Sequence, residues 1–434
     1  MKLDFSWKGQ GPARYQRWGP YLSFDGPAST CMRVTWQSKF YSTERWIAFG
    51  KTRDCASKKE QSIVDAPSRA HSFLLDGLEP STTYYYRISR PEDLAAPDPP
   101  VYSFTTGPPD GTRAPFDFCV AGDMHARDMN VRKLLNSMEK NVPASRFLVS
   151  CGDPVYHGGV DEAWNELFYQ IDPWCTRVPF MNATGNHDTD HPETYARFLD
   201  TFRHPYHDRA NGAYYSFQYG NVACIVLDST NAGQAAATQG VVSDVQLDWL
   251  EHELATRARK DSWVFVFMHH PVYSTGDTGS LHIYELAYLD MFNEYQVDAV
   301  FYGHDHLFEV YWTGRDTQWG GTHYCLVGNG AEANLDMRDP YHVPPSPYLW
   351  KGRTYVPERD GILGGNAAGP RNDAVVRSSY EYGILEPGFA HVHVDGDACE
   401  LRAWGLENQV YFKDSFGRTG HGKRYHPPDF IQAF

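Results

Sequence analysis

The chain has 434 residues, of which 41% are hydrophobic and 15% aromatic, and it carries a formal net charge of −15. This length exceeds what a single hydrophobic core usually serves, so we expect a soluble protein of two domains. The acidic balance argues against a nucleic-acid partner, because such binding rests largely on lysine and arginine side chains that neutralise phosphates. No uninterrupted apolar run is long enough to span a bilayer, so no membrane association is expected.

The start of the chain, Met1 to Lys8, lacks the apolar stretch of a signal peptide. We therefore expect a cytoplasmic protein, or a secreted one whose signal has been removed. Eight cysteines are scattered without the close spacing of a metal site. Cys119, Cys151 and Cys224 fall in or beside predicted buried strands, where a free thiol acts as a small hydrophobe, so disulfides are not required.

In the first quarter of the chain, apolar residues alternate with polar ones as they do in a half-buried strand. Met32, Val34 and Trp36 show this alternation, and Tyr84 leads into another strand-like run. A corner tyrosine and a buried tryptophan are features of immunoglobulin-like sandwiches. The pattern resembles a fibronectin type III sandwich, with Tyr84 as the corner tyrosine and Trp36 in the core.

A segment rich in proline and glycine, Gly107 to Gly111, marks the predicted linker between the two domains. We place an all-β, fibronectin type III-like sandwich at residues 14–107. The second domain is placed at residues 115–434.

In the second domain, five strand-like apolar runs are each followed by a short polar motif. The runs are Phe116–Val120, Phe147–Ser150, Val178–Met181, Val264–Phe267 and Val297–Tyr302. The motifs are Gly122-Asp123-Met124-His125, Gly152-Asp153-Pro154-Val155-Tyr156, Gly185-Asn186-His187-Asp188, Val266-Phe267-Met268-His269 and Gly303-His304-Asp305-His306. Loops that follow the carboxyl ends of strands in an open α/β fold converge on one crevice, so we expect these motifs to form one site.

The segments between these runs have the mixed three- and four-residue apolar spacing of amphipathic helices. Helices are predicted over Arg127–Asn141, Asp161–Ile171 and Pro192–Phe202. A fourth helix begins with the capping box Ser243-Asp244-Val245-Gln246. Strands that alternate with helices indicate a layered α/β domain, a β-sandwich flanked by helices.

Together the five motifs supply enough oxygen and nitrogen ligands for two metal ions. A carboxylate shared by two cations holds them roughly 3.5 to 4 Å apart, the spacing that suits a phosphoryl group, and we assign Asp153 to that bridge. Asp123 and His306 would bind the first ion. The second ion would be bound by Asn186, His269 and His304.

This order of motifs resembles the calcineurin-like metallophosphoesterases, and more closely the purple acid phosphatases. The resemblance covers nearly the whole chain, because in that family too a sandwich precedes the five-motif domain. It implies a metallophosphoesterase with two metal ions per chain, Fe together with Fe, Zn or Mn.

Two residues near the first ion, His125 and Tyr156, could each bind it. The purple enzymes usually have glycine two places after the first aspartate, whereas this chain has His125, as the wider family does. Tyr156 stands where the purple enzymes have their metal-bound tyrosine. A phenolate from Tyr156 would favour Fe(III), whereas His125 in its place suits a divalent ion, and an octahedral ion could accept both.

The resemblance implies that His187 contacts the phosphate or protonates the leaving group, and we expect Asp188 to orient its ring. After His269 the chain lacks the further histidines with which the plant purple enzymes bind phosphate, so their substrate contacts do not carry over. His270 is an alternative metal ligand by a register slip of one residue. Otherwise it is a strand-end histidine that faces the rim of the cleft.

The segment Ala331 to Tyr380 is rich in proline, glycine, asparagine and arginine. Long irregular insertions of this kind often form lids or binding loops. Arg371 and Arg377 could pair with an anionic substrate, or they could be exposed arginines on a solvated loop.

We therefore predict metal-assisted hydrolysis of a small-molecule phosphate ester. The two cations lower the pKa of a bound water, hydroxide attacks phosphorus in line, and His187 assists departure of the leaving oxygen. The resemblance favours a phosphomonoesterase, with a phosphodiesterase as the alternative because His125 matches the wider family. The same ligands would also be compatible with a di-iron redox protein or with a non-catalytic metal-binding protein.

Overall fold

The structure is a computed structural model that describes residues 17–42, 45–60, 68–189, 191–209, 212–230, 243–257, 262–276, 282–314, 317, 319–330 and 379–417. These residues form two β-rich units in succession. Most of the predicted insertion, including Arg371 and Arg377, lies outside the described residues.

The first unit is a sandwich of two antiparallel sheets. The elements are β1 (Trp18–Ser23), β2 (Met32–Ser42), β3 (Trp46–Gly50), β4 (Ser57–Glu60), β5 (Ser68–Leu75), β6 (Thr83–Ile88), α1 (Pro91–Leu94) and β7 (Tyr102–Thr105). The strand orders of the two sheets are β1-β2-β5 and β4-β3-β6-β7. Two such sheets form the predicted fibronectin-like sandwich. The domain bounds 14–107 and 115–434 stay a prediction.

The two aromatic residues that indicated a sandwich have the expected positions. Trp36 is fully buried and stacks on Phe73, with 5.5 Å between the ring centroids. The Tyr84 hydroxyl accepts a hydrogen bond from the backbone N–H of Glu79 at 3.0 Å. This return contact to a residue just upstream is the defining contact of a tyrosine corner, so both predictions are confirmed.

The second unit contains two larger sheets. The six-stranded sheet comprises β8 (Phe116–Ala121), β9 (Ser145–Ser150), β10 (Phe180–Asn182), β18 (Gly388–Asp395), β19 (Ala398–Gly405) and β20 (Val410–Gly417). The seven-stranded sheet comprises β11 (Tyr215–Tyr219), β12 (Val222–Val226), β13 (Trp263–Phe267), β14 (Ala299–Tyr302), β15 (Phe308–Thr313), β16 (Thr322–Val327) and β17 (Tyr380–Ile384). Their strand orders are β10-β9-β8-β18-β19-β20 and β11-β12-β13-β14-β16-β15-β17.

The helices of this unit cover the outer faces of the two sheets. They are α2 (Asn130–Asn141), α3 (Asp161–Cys175), α4 (Pro192–Thr201), α5 (Asp244–Arg257) and α6 (His282–Glu294). Because successive strand side chains point to opposite faces, Phe118 of β8 packs towards the other sheet, with its ring centroid 6.0 Å from that of Phe265. Its neighbour Cys119 belongs to the cluster formed with α2, α3 and α4. The layered architecture predicted from the sequence is confirmed.

The five motifs follow the carboxyl ends of five parallel strands. Strands β8, β9 and β10 run parallel in one sheet, and β13 and β14 run parallel in the other. Each motif provides its polar residues within a few positions of the strand end. Three motifs therefore lie at the carboxyl ends of strands in the six-stranded sheet, and two lie at the carboxyl ends of strands in the seven-stranded sheet.

Two predicted helix starts differ in detail from the structure. Helix α2 begins at Asn130, because the Asn130 side chain accepts the backbone N–H of Arg127 at 2.9 Å and closes a turn there. The capping box of α5 is only half formed. The Ser243 hydroxyl accepts the N–H of Gln246 at 3.2 Å, but the Gln246 amide bonds the backbone of Asp228 instead.

The first unit packs on helix α3 of the second. Phe168 stacks on Trp18 and on Tyr21, with 4.2 and 5.4 Å between the ring centroids. The Tyr86 hydroxyl also donates to the carbonyl of Thr176, just beyond the end of α3, at 2.7 Å. The sandwich is thus joined to the second unit by buried aromatic contacts.

All eight cysteines are free, and seven of them are buried. This agrees with the expectation that no disulfide is required. In the described part of the chain, no helix has both the length and the apolar character that crossing a membrane requires.

We predict that Phe168→Ala lowers the free energy of unfolding by about 3 to 5 kcal/mol, because Phe168 is fully buried between the two units. Denaturant unfolding followed by circular dichroism measures this loss. Phe168→Leu retains much of the apolar volume and should lose less than half as much. Equal losses in the two variants would contradict this expectation from buried volume and would assign the stabilisation to the ring contacts with Trp18 and Tyr21.

Candidate metal centre

The residues that carry the motifs have unusual backbone conformations. Asp123, His125, Asp153 and His304 have φ angles of 52°, 40°, 51° and 78°, in the left-handed region. Residues other than glycine adopt this region rarely, and such residues tend to cluster at functional sites. The chain therefore turns sharply after β8, β9 and β14 and carries these side chains into one space.

Glycine is required just before two of the expected ligands. Gly152 has a φ of 87°, and a Cβ there would lie 2.4 Å from Nδ1 of His269. A Cβ on Gly303 would lie 2.2 Å from Oδ2 of Asp123. In both cases the backbone of one motif approaches the side chain of another, which only glycine permits.

The residues expected at the first ion converge. Nε2 of His306 lies 3.6 Å from Oδ1 of Asp123. Nε2 of His125 lies 3.9 Å from the same oxygen. Asp123 and His125 are both fully buried, so the predicted group forms a compact cluster of one carboxylate and two imidazoles.

The residues expected at the second ion converge more closely. Oδ1 of Asn186 lies 2.8 Å from Nε2 of His269 and 2.8 Å from Nδ1 of His304. The two imidazole nitrogens are 3.2 Å apart. Three potential ligand atoms therefore point at one small volume.

Asp153 lies between the two groups. Its Oδ2 is 3.3 Å from Nε2 of His125 and 3.4 Å from Nε2 of His269. Its Oδ1 accepts the backbone N–H of His187 at 2.9 Å. One carboxylate thus faces both groups, as a bridging ligand must.

The charges of the cluster fit the binding of cations. Burial opposes ionisation of Asp153, but the nearby imidazoles of His269 and His125 hold its pKa well below the usual value. Burial also opposes protonation of these two histidines, but the carboxylates raise the pKa of each to about 9. The carboxylates therefore draw protons onto the imidazoles when no cation is bound, and metal ions would displace those protons.

The buried Oδ1 of Asp123 also indicates a cation site. It has no hydrogen-bond partner among the residues that the structure describes. A buried carboxylate oxygen without a hydrogen bond is costly, and a metal ion satisfies it. Mixed imidazole, carboxylate and amide ligands suit iron, zinc or manganese, so the residues present fit the expected ions.

Tyr156 lies beside this cluster. Its ring centroid is 5.1 Å from that of His125 and 4.9 Å from that of His187. The guanidinium of Arg127 lies over the same ring at 5.8 Å. The ring is thus adjacent to both histidines, and metal binding by its hydroxyl stays a prediction.

His187 is oriented differently from what the sequence suggested. Its Nδ1 lies 3.0 Å from the backbone carbonyl of Tyr156, to which it donates. Burial lowers its pKa below the ordinary histidine value. The prediction that Asp188 orients this ring is wrong, because the Asp188 carboxylate accepts the backbone N–H groups of Asp153 and Gly185. Asp188 therefore joins two of the motif loops through their backbones.

Sequence reasoning missed a sixth loop at the site, Asp228 to Thr230, which follows strand β12. The Asp228 carboxylate accepts hydrogen bonds from the hydroxyls of Thr184 at 2.9 Å and Tyr195 at 2.6 Å. Thr184 directly precedes the loop that carries Asn186. The signal was present, because an apolar run ends there in polar residues as it does in the five motifs.

The loop after His269 is held to the segment that follows His304. The Ser274 hydroxyl donates to Asp305 at 2.5 Å, and the backbone N–H of Thr275 donates to Glu309 at 3.0 Å. The expectation that His270 faces the rim of the cleft is wrong. Its side chain is 1% exposed and lies beside His304, with 4.5 Å between the ring centroids.

Two protein-family models match the chain. The model described as calcineurin-like phosphoesterase matches residues 116–308. The model described as the N-terminal domain of purple acid phosphatase matches residues 18–106. The matches follow one another in the order of the two units described above.

Two similar plant proteins are named purple acid phosphatases. Purple acid phosphatase 21 of Arabidopsis thaliana is 25% identical over 338 residues, which are 73% of this chain and 72% of that protein. The Fe(3+)-Zn(2+) purple acid phosphatase 12 of the same plant is 25% identical over 349 residues, which are 73% of this chain and 65% of that protein.

Among solved structures, the purple acid phosphatase PPD1 from yellow lupin seeds is similar in fold. The TM-score is 0.69 at 18% sequence identity, and the match covers 92% of this chain and 74% of the lupin chain. At this identity the likeness concerns the fold alone. With both family models matched in order along the chain, the chain belongs to the calcineurin-like metallophosphoesterases, hydrolases of phosphoric esters, as a purple acid phosphatase-like member.

Proposed function

We propose that the protein is a phosphomonoesterase that acts on small-molecule phosphate esters with two metal ions. The observation that carries this proposal is the Asp153 carboxylate, whose Oδ2 lies 3.3 and 3.4 Å from imidazole nitrogens of two separate ligand groups. A shared carboxylate holds two cations at the spacing that a phosphoryl group can span.

In this proposal each metal ion has its own set of ligands, and Asp153 belongs to both. The first ion is bound by Asp123, His125, Asp153, Tyr156 and His306. The second ion is bound by Asp153, Asn186, His269 and His304. The ions are Fe with Fe, Zn or Mn, and when bound they activate water and stabilise negative charge on the phosphoryl group.

His187 is the residue proposed to act on the leaving group. Its Nδ1 is occupied by the carbonyl of Tyr156, so proton transfer to an ester oxygen must use Nε2 of the protonated ring. The backbone N–H of His187 is tied to Asp153, which holds its loop close to the bridging carboxylate. Because the Tyr156 carbonyl occupies Nδ1, only Nε2 of His187 is left to donate a proton to the ester oxygen.

A phosphodiesterase is the second candidate, and His125 favours it. In the wider family a histidine at this position accompanies the first aspartate, and here His125 is buried within 3.3 Å of Asp153. The two candidates differ in whether the site accepts a second ester substituent on phosphorus.

We predict close to two metal ions per chain by elemental analysis of protein prepared with iron, zinc and manganese. Asp153→Asn should reduce the content of both ions, because the carboxylate belongs to both sets. Asn186→Ala should reduce the content by about one ion.

Asp117→Asn is the matched control for Asp153→Asn. Asp117 also lies next to two histidines, at 2.8 Å from His391 and from His393, but it is at the opposite end of strand β8 from the motif. The Asp117→Asn variant should retain both ions. Metal-free protein under replete conditions, or full metal content in Asp153→Asn, would rule out the proposed centre.

The colour of the protein tests Tyr156 as a ligand of Fe(III). Phenolate bound to Fe(III) gives a visible absorption band, so the protein should be purple or pink and Tyr156→Phe should be colourless while its ring contacts remain. Tyr169→Phe, on helix α3, should keep the colour. An active colourless protein that contains only divalent ions would instead support binding through His125 without Tyr156.

Turnover of two nitrophenyl esters tests the reaction. The metal-loaded protein should hydrolyse a nitrophenyl phosphate monoester faster than the bis ester. Removing a general acid typically costs roughly 100- to 10,000-fold in rate, so we expect His187→Ala to fall in that range. Asp153→Asn should lose at least as much, because it loses the ions.

Faster cleavage of the bis ester would select the phosphodiesterase. If neither ester is cleaved by the metal-loaded protein, or if Asp153→Asn cleaves as fast as the parent, the hydrolase proposal fails. A redox or non-catalytic role for the metal centre would then take its place.

A further inference from the structure

His270 is a buried histidine beside the proposed metal centre, and neither of the proposed ligand sets includes it. It belongs to a group with His269 and His304 in which one ring nitrogen of each lies within 4.8 Å of the others. Its ring also stacks on Tyr284 of helix α6, with 5.6 Å between the centroids. Proximity alone would allow His270 to be a third imidazole ligand of the second ion.

The hydrogen bonds of Ser229 decide which nitrogen of His270 carries hydrogen. The Ser229 hydroxyl oxygen accepts the backbone N–H of His269 at 3.2 Å and that of His270 at 3.0 Å. A hydroxyl oxygen has two lone pairs, and both are taken. Its hydrogen must therefore be donated, and the acceptor is Nδ1 of His270 at 3.0 Å.

An imidazole that accepts at Nδ1 carries its hydrogen on Nε2. A ring nitrogen with hydrogen attached has no lone pair for a metal ion, because histidine ligands bind through a deprotonated nitrogen. Ser229 thus excludes His270 from the second ion and makes its Nε2–H a hydrogen-bond donor.

This donor has no acceptor among the residues that the structure describes. Nε2 of the adjacent His304, whose Nδ1 faces Asn186, likewise has no partner in the described part of the chain. A buried donor left without an acceptor is destabilising, so the Nε2–H of His270 calls for an acceptor that the described residues do not supply.

We propose that Nε2–H of His270 donates a hydrogen bond to an anionic oxygen of the substrate phosphoryl group, and that Ser229 is the positioning residue that fixes the required tautomer. This role deepens the proposed function and rests on it for the identity of the ligand. It gives the site a neutral phosphate-binding histidine directly after a metal ligand, in a loop that lacks the further histidines of the plant enzymes.

The test compares His270→Phe with His270→Gln in the metal-loaded protein. Phenylalanine keeps a flat ring against Tyr284 but has no donor, whereas glutamine offers an amide N–H near the position of Nε2. Both changes deprive the Ser229 hydroxyl of its acceptor, so the difference between them isolates the donor. Binding of inorganic phosphate by calorimetry, metal content and steady-state kinetics are measured on each.

We expect His270→Phe to bind inorganic phosphate roughly 10- to 100-fold more weakly than the parent, as for a lost hydrogen bond to a charged group. Its KM for the phosphate ester should rise, and its metal content should stay unchanged. His270→Gln should recover most of the phosphate affinity. If the phenylalanine variant does not fold, His270→Asn, whose amide does not reach the Nε2 position, provides the same comparison.

Two results would overturn the inference. Loss of about one metal ion in His270→Phe would identify His270 as a ligand, and unchanged phosphate affinity in that variant would leave it a packing residue. If the parent protein cleaves no ester but still shows the affinity difference between phenylalanine and glutamine, the proposed function fails and the phosphate contact stands. If the parent cleaves esters and the phenylalanine variant binds phosphate as the parent does, the proposed function stands and the phosphate contact of His270 fails.

Discussion

The structure depends on how two buried carboxylates are compensated. Asp123 is fully buried and Asp153 is 1% exposed, in a space where an ionised carboxylate without partners would cost several kcal/mol. The imidazoles of His125 and His269 compensate them by holding protons, and cations would do so more strongly. Every ligand loop has to reach this space, so the strand ends, the left-handed turns and the close glycine contacts all follow from it.

The two-sheet architecture is what brings the loops to the carboxylates. In the six-stranded sheet, strands β8 and β9 are each followed by a carboxylate and β10 by an amide. In the seven-stranded sheet, β13 and β14 are followed by the histidines. The inner faces of the sheets pack through rings such as Phe118 and Phe265, which fixes the distance between the two sets of loops. Helices on the outer faces then bury the other side of each sheet.

Residues outside the predicted ligand sets hold this arrangement together. Asp188 joins the loops of Asp153 and Gly185, and Asp228 joins strand β12 to Thr184. Ser229 bonds the backbone at His269 and His270 and also sets the tautomer of His270. A hydroxyl or carboxylate that accepts backbone N–H groups in a tight turn both satisfies those donors and fixes the direction of the neighbouring side chains.

The sequence by itself determined the sandwich with its Tyr84 corner, the layered α/β unit and the strands that carry the five motifs. It could do so because strand periodicity and turn residues are local properties of the chain. Only the tertiary structure decided that Asp188 bonds backbone rather than His187, that Gln246 leaves its capping box for Asp228, and that His270 is buried with its Nδ1 held by Ser229. Each of these is a competition between a local partner and one that is distant in sequence. The outcome depends on which groups the packed sheets bring within hydrogen-bond distance, and spacing along the chain does not contain that information.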